Sequence, residues 1–251
     1  MNYRDEILHE LMNMSEQLLL SGADVNRVED TVSRMGKAYG AKYMDVFVIT
    51  SNVMVTMAFP DGERLTQTRR ILTPASTDFR RLESLNALSR KCCKNPLPPE
   101  ELKHEMNRIV PISKTKLICG SLIAAASFTV FYGGNVLDMV VSALFALEII
   151  FLQEKLYPYC TNKVVYNLIC SFIVGLCIYA VSAVFPMIDT DKVVVGDIML
   201  LIPGMAFANA IRDILVGDTI SGILRLTEAL LWAGALACGF MAALFIVGLG
   251  V

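Results

Sequence analysis

Charge is scarce in this 251-residue chain: Asp, Glu, Lys and Arg make up 18 % of it, against 55 % hydrophobic residues and a mean hydropathy of +0.54. That apolar share exceeds what a soluble domain shows. Histidine is rarer still, with only His9 and His104. Neither belongs to a constellation of Cys, His and carboxylates at metal spacing, so both read as surface residues and no metal site is expected. The seven cysteines include no Cys-x-x-Cys: Cys119, Cys170, Cys177 and Cys238 lie in apolar runs, Cys160 in a loop, and Cys92-Cys93 are adjacent. All seven read as reduced thiols. There is no Gly-x-Ser-x-Gly elbow and no phosphate-binding glycine loop, so no cofactor is expected and the chain does not read as an enzyme. No basic stripe interleaved with aromatics occurs, which argues against nucleic acid as a partner. The start, Met1-Asn2-Tyr3-Arg4-Asp5-Glu6, lacks the basic and then apolar pattern of a signal peptide, so the front of the chain is expected to stay in the cytoplasm.

What charge there is gathers at the front. Met1 to Lys116 holds 17 Lys or Arg and 15 Asp or Glu, whereas Leu117 onward holds 5 and 9. Residues 1–116 read as a cytosolic α+β domain. Ile7, Leu8, Leu11, Met14 and Leu18 recur at a helical period through Leu20, and Ser21-Gly22-Ala23-Asp24 supplies a stop and then a cap for a second helix from Val25 to about Tyr39. Met44 to Phe59, rich in Val, Ile, Thr and Phe and broken at Ser51-Asn52, predicts a hairpin. A third strand follows the Pro60-Asp61-Gly62-Glu63 turn, over Arg64 to Leu72. Thr77 or Asp78 caps a helix to about Lys94, and Pro98-Pro99 opens another towards Arg108.

Residues 117–251 carry five apolar segments, at 117–132, 136–152, 164–188, 193–211 and 229–251. Each is close to the roughly 17–25 residues that cross a bilayer. The fold class expected is therefore an α-helical membrane protein with five transmembrane helices and an N-terminal cytosolic α+β domain. Lys155, Lys163, Arg212 and Arg225 fall in the two loops, 153–163 and 212–228, that would lie inside, against Lys192 outside, which places the C-terminus outside. An odd number of spans suits assembly with a second unit of opposite orientation. In the last segment Ala235, Gly239 and Ala243, and likewise Gly234, Cys238 and Ala242, repeat every four residues, a packing surface for this chain or for a partner.

The segment from Gly196 to Asp213 is a membrane-length run with Asp197 near its start, Pro203-Gly204 at its middle, Asn209 beyond, and Arg212-Asp213 at its end. It reads as an interrupted transmembrane helix. Pro203 has no backbone donor and frees a carbonyl near the bilayer midplane, and Gly204 permits a sharper bend and close approach. A simple proline kink is the other reading. Asp197 and Gly204 are seven apart and would share a face. Within the second span, Glu148 is either hydrogen-bonded in the bundle or a proton-exchanging or cation-coordinating carboxylate, while Asp138 lies nearer the headgroups. Arg212-Asp213 and Asp218 form either a cytoplasmic gate or the headgroup boundary. The candidate pathway residues are thus Glu148, Asp197, Pro203, Gly204, Asn209, Arg212, Asp213 and Asp218.

Ser21-Gly22-Ala23 with Arg27-Val28-Glu29, Pro60-Asp61-Gly62-Glu63, Ile202-Pro203-Gly204 with Arg212-Asp213, Gly217-Asp218, Ser221-Gly222, and Arg225-Leu226 with Glu228-Ala229 follow one another along the chain. In that order and spacing they resemble the threonine/serine exporter family. The resemblance implies a bacterial inner-membrane exporter of small amino acids, or of small dicarboxylates such as succinate, driven by protons. Fused members carry many more spans. Split members resemble this chain, which ends at Val251 after five spans, and they work with a smaller membrane subunit. The partners implied are the lipid bilayer, a small-molecule substrate, protons, and a second smaller subunit or a homo-oligomer. The rival reading is a membrane-anchored regulatory or assembly subunit with no pathway of its own.

Overall fold

The computed structural model describes residues 2–72, 78–110 and 112–249. They divide into two compact units, Met1–Ile112 with Phe207–Leu226, and Ser113–Ala206 with Thr227–Val251.

The first unit opens with helices α1 (Tyr3–Leu20) and α2 (Val25–Ala38). Gly22, at φ 91°, makes the left-handed step between them. Strands β1 (Tyr43–Ile49), β2 (Asn52–Ala58) and β3 (Arg64–Arg70) form an antiparallel sheet in the order β1-β2-β3. Val46 lies opposite Val55, and Met57 opposite Leu65. Alternation sets the faces: Val53, Val55 and Met57 of β2 point inward and are buried, and Thr56 pairs with Thr66 on the other side. The sheet packs on α1 and α2, and two further helices, α3 (Phe79–Lys94) and α4 (Pro99–Asn107), pack on those two. Asp78 accepts from the Arg81 amide and caps α3; Thr77, the alternative cap, lies outside the described residues. The core gathers Leu11, Met12, Val28, Met35, Val55, Leu85 and Leu102, all wholly or almost wholly inaccessible. Arg4 pairs with Asp61 and Glu63 in the turn before β3, and its guanidinium holds the Asp61 carboxyl below the usual range.

The second unit is helical. Helices α5 (Lys114–Phe131) and α6 (Val136–Lys155) form a hairpin through Gly133-Gly134-Asn135. Asn135 accepts from the Leu137 and Asp138 amides, and Asp138 accepts from the Asn135 amide, closing a capping box. The other oxygen of Asp138 accepts from the Asp189 amide at 2.9 Å, so this buried carboxylate ties the start of α6 to the start of α8. Helix α7 (Lys163–Val184) follows, then α8 (Thr190–Leu201); of the last two helices, α9 (Gly204–Val216) falls mostly in the first unit, and α10 (Thr219–Leu249) begins there and continues in the second. Four helices, α5, α6, α7 and α10, are long and apolar enough to cross a membrane, and α8 with α9 makes a fifth span if the bent pair is counted as one.

The interval 212–228 is not the loop expected from sequence. It holds the end of α9, a turn at Gly217-Asp218 and the first turns of α10. Gly217 stands at φ 100° and the Asp218 amide donates to the Asp213 carbonyl, so a two-residue turn suffices. The small-residue stripes of α10 part company. Ala235, Gly239 and Ala243 are buried, whereas Gly234, Cys238 and Ala242 are exposed. A Cβ on Gly239 would stand 2.5 Å from the Leu168 carbonyl oxygen and 2.9 Å from the Phe172 nitrogen, so α10 meets α7 backbone to backbone there.

Candidate functional site

The interrupted segment is two helices rather than one bent one. The last amide of α8, that of Ile202, donates to Ile198, Pro203 offers no donor, and the Gly204 amide turns back to the Ile202 carbonyl as α9 begins. The two axes differ by 53°. Asp197 and Gly204 therefore do not share a helical face, because the register that would align them ends at Leu201. Nor does Gly204 serve a close approach: no heavy atom among the described residues lies within 4 Å of where its Cβ would be, and its φ is not positive.

The close approach belongs instead to Gly196. A Cβ there would run into the Thr129 hydroxyl and lie 2.8 Å from Ser142 Oγ and 3.0 Å from the Ala125 carbonyl oxygen. This glycine lets α8 nest against α5 and α6, and it carries its neighbour Asp197 into a fully buried position. Ser142 Oγ donates to Asp197 Oδ1 at 3.1 Å, while Asp197 Oδ2 has no hydrogen-bond partner. Among the described residues no basic side chain reaches it. Glu148, half-buried on α6, is close enough for the two carboxylates to repel.

A second cluster forms within the first unit. Asp213 is 1 % exposed and stands 3.4 Å from Arg225, whose guanidinium also donates to the Ala23 carbonyl at 3.2 Å. Arg212 pairs with Asp24 at 2.9 Å. Asp24 stands at the N-cap of α2 but makes no side-chain cap bond; it faces Arg27 and Arg212 instead. Glu29 accepts from the Val48 amide, and its carboxyl is pushed up mainly by burial, with Asp218 adding repulsion. The turn after α1 and the α9–α10 junction, at opposite ends of the sequence, are thus brought together. Asn209 is half-buried on α9.

Of the eight residues singled out from sequence, Glu148 and Asp197 interact, and Arg212, Asp213 and Asp218 share the second cluster. Ser142, Thr129, Gly196, Arg225 and Asp24 are the residues that sequence reasoning passed over. Ser142 had a signal: it lies four residues after Asp138, on the same face of an otherwise apolar helix.

Spanning-length helices, a proline-broken pair and buried carboxylates fit a multi-pass membrane transporter working on a small molecule within the lipid bilayer. Residues 9–247 match the model of the threonine/serine exporter family, ThrE, and the chain belongs to that family. Comparisons with curated proteins and with solved structures gave no similar chain.

Proposed function

We propose that the chain is one subunit of a secondary-active exporter in the bacterial inner membrane, moving threonine, serine or a small dicarboxylate such as succinate against a proton flux. In this reading α8 and α9 form one interrupted span, the fourth of five. Residues 1–116 lie in the cytoplasm and collect or gate substrate, and the C-terminus lies outside. Asp197, with Glu148 beside it, carries protons. Pro203 and Gly204 open the pathway, Asn209 lines it, and Arg212, Asp213 and Asp218 form the inner gate. A five-span unit pairs naturally with a unit of opposite orientation, so a smaller membrane subunit or a second copy would complete the route.

The observation that carries this reading is Asp197: wholly buried, held by Ser142 through one oxygen, and unpartnered at the other. A lone carboxylate in an apolar bundle is costly as an anion and is suited to exchanging a proton or a cation. Proteoliposomes holding the chain and its companion subunit are expected to show counterflow of labelled threonine, serine or succinate, with a pH dependence that Asp197→Asn alters. Identical pH profiles would remove the proton role, and no flux of any of the three would remove the exporter reading.

The regulatory or assembly reading is favoured by one observation. Arg212–Asp24 and Arg225–Ala23 tie the α9–α10 junction to the front helices as a scaffold would. A Pro203→Ala protein with unimpaired export would favour it.

A further inference from the structure

The first unit contains a cavity of about 320 Å³ that the pathway does not use. It lies between α1, which supplies Glu10, Asn13, Glu16 and Gln17, and α4, which supplies Lys103 and Asn107. Its volume is at the small end of the range of about 300–1,000 Å³ usual for small-molecule sites.

The lining has an unbalanced order. Arg69 bridges Glu16 at 2.8 Å and donates to Asn13 Oδ1, and the Asn13 amide in turn donates to Glu10 Oε2 at 2.9 Å. Glu10 is only 4 % exposed and makes no ion pair among the described residues. Lys103, by contrast, is exposed and also makes no ion pair among them. The buried Gln17 Oε1 has no hydrogen-bond partner among the described residues. A buried carboxylate lacking a cation, an ammonium lacking an anion, and an idle amide oxygen therefore line one small cavity.

We propose that this cavity binds a free α-amino acid as its zwitterion, with Glu10 and the Gln17 amide oxygen receiving the α-ammonium and Lys103 the α-carboxylate. Asn107 is placed to hydrogen-bond a hydroxylated side chain. Arg69 and Asn13 are positioning residues: they hold Glu16 and Glu10 so that one acid is neutralised and the other is left for the ligand. A dicarboxylate would meet Glu10 as a like charge, so the site discriminates between the two solute classes. The proposal rests on the reading that this chain handles small amino acids, and it places a soluble-side binding site apart from the membrane carboxylates.

The test is calorimetric titration of the detergent-solubilised full chain with L-threonine, L-serine, ethanolamine, lactate and succinate, beside counterflow measurements. Threonine and serine are expected to bind. Ethanolamine, lacking the carboxylate, and lactate, lacking the amine, should each bind at least about tenfold more weakly, the scale of one charged hydrogen bond. Glu10→Gln, which keeps shape and volume, and Lys103→Ala, at an exposed position, should each weaken threonine by a similar factor, whereas Arg34→Ala, which breaks an exposed pair with Asp30 in α2, should not. Threonine binding untouched by both cavity variants would overturn the site while leaving an amino-acid exporter standing. Succinate binding in place of threonine, lost in Lys103→Ala, would overturn the zwitterion assignment. Counterflow of threonine with no calorimetric binding would also overturn the site alone, and absence of both would remove the exporter reading with it.

Discussion

Asp197 and Asp213 are both closed off from solvent, yet their neighbours differ: Asp213 has the Arg225 guanidinium at 3.4 Å and no hydrogen bond to either oxygen among the described residues, and Asp197 has the Ser142 hydroxyl and no basic side chain among them. A guanidinium beside a buried carboxylate offsets its charge and fixes the pair in place, so removal of the cation is felt as lost stability. A buried carboxylate with neutral neighbours has its charge uncompensated, and a proton or a cation must come and go if it is to ionise at all. The same residue type sixteen positions along one segment is thus set up for anchoring in one place and for exchange in the other.

The sharpest test of that contrast is Arg225→Ala. It strands Asp213 without a counter-ion, and a loss of about 3–5 kcal/mol is expected in thermal unfolding, with much of it regained in Arg225→Met/Asp213→Leu. Asp197→Asn should do the opposite, leaving the melting temperature within a few degrees while lowering counterflow by about tenfold or more, the scale of one charged interaction. Unfolding of Asp197→Asn with transport intact would reverse the two roles. The glycines give a smaller effect of the same kind. Gly196→Ala forces a methyl onto Thr129 and Ser142 and should cost about 1–3 kcal/mol, while Gly204→Ala meets nothing and should be neutral or stabilising by up to about 1 kcal/mol.

Glu29 supplies the smallest effect. Burial raises its carboxyl above the ordinary glutamate value, so the folded state holds its proton to higher pH than the unfolded chain does. Stability is therefore expected to fall as pH rises from the ordinary glutamate range through the raised folded value, and Glu29→Gln should flatten that slope in denaturant titrations at several pH values. An unchanged slope would show that burial and the Asp218 charge do not raise this group as described.

Much of the architecture was legible because it depends on short-range pattern. The helical period of Ile7 to Leu18, the break at Ser51-Asn52 and the Gly133-Gly134-Asn135 turn all correspond to elements within a few residues of their expected bounds. The junction at 217–218 was not, since Arg212, Asp213, Asp218 and Arg225 made a helical stretch look like a polar loop. Those charges are tolerated in helices because Asp24 and the Ala23 carbonyl meet the two arginines, and Asp213 meets Arg225. The candidate site divided similarly. An acid in an apolar run marks Asp197 and Glu148 from sequence alone, but Ser142, Thr129 and Gly196 are unremarkable residues until three helices bring them together.

Sequence by itself determined that the chain enters a membrane, that its front is an α+β unit, that Pro203 bends or breaks a helix, and which family its ordered motifs resemble. These follow from hydropathy, periodicity and the missing amide of one ring, all of which act over a few neighbouring residues. Only the tertiary structure decided which glycine lets helices touch, which buried aspartate has a cation, and that the turn at Ala23-Asp24 meets helices some two hundred residues later. Those depend on packing distances of a few ångströms between segments far apart in the chain, where one residue of rotation exchanges a buried partner for lipid or solvent.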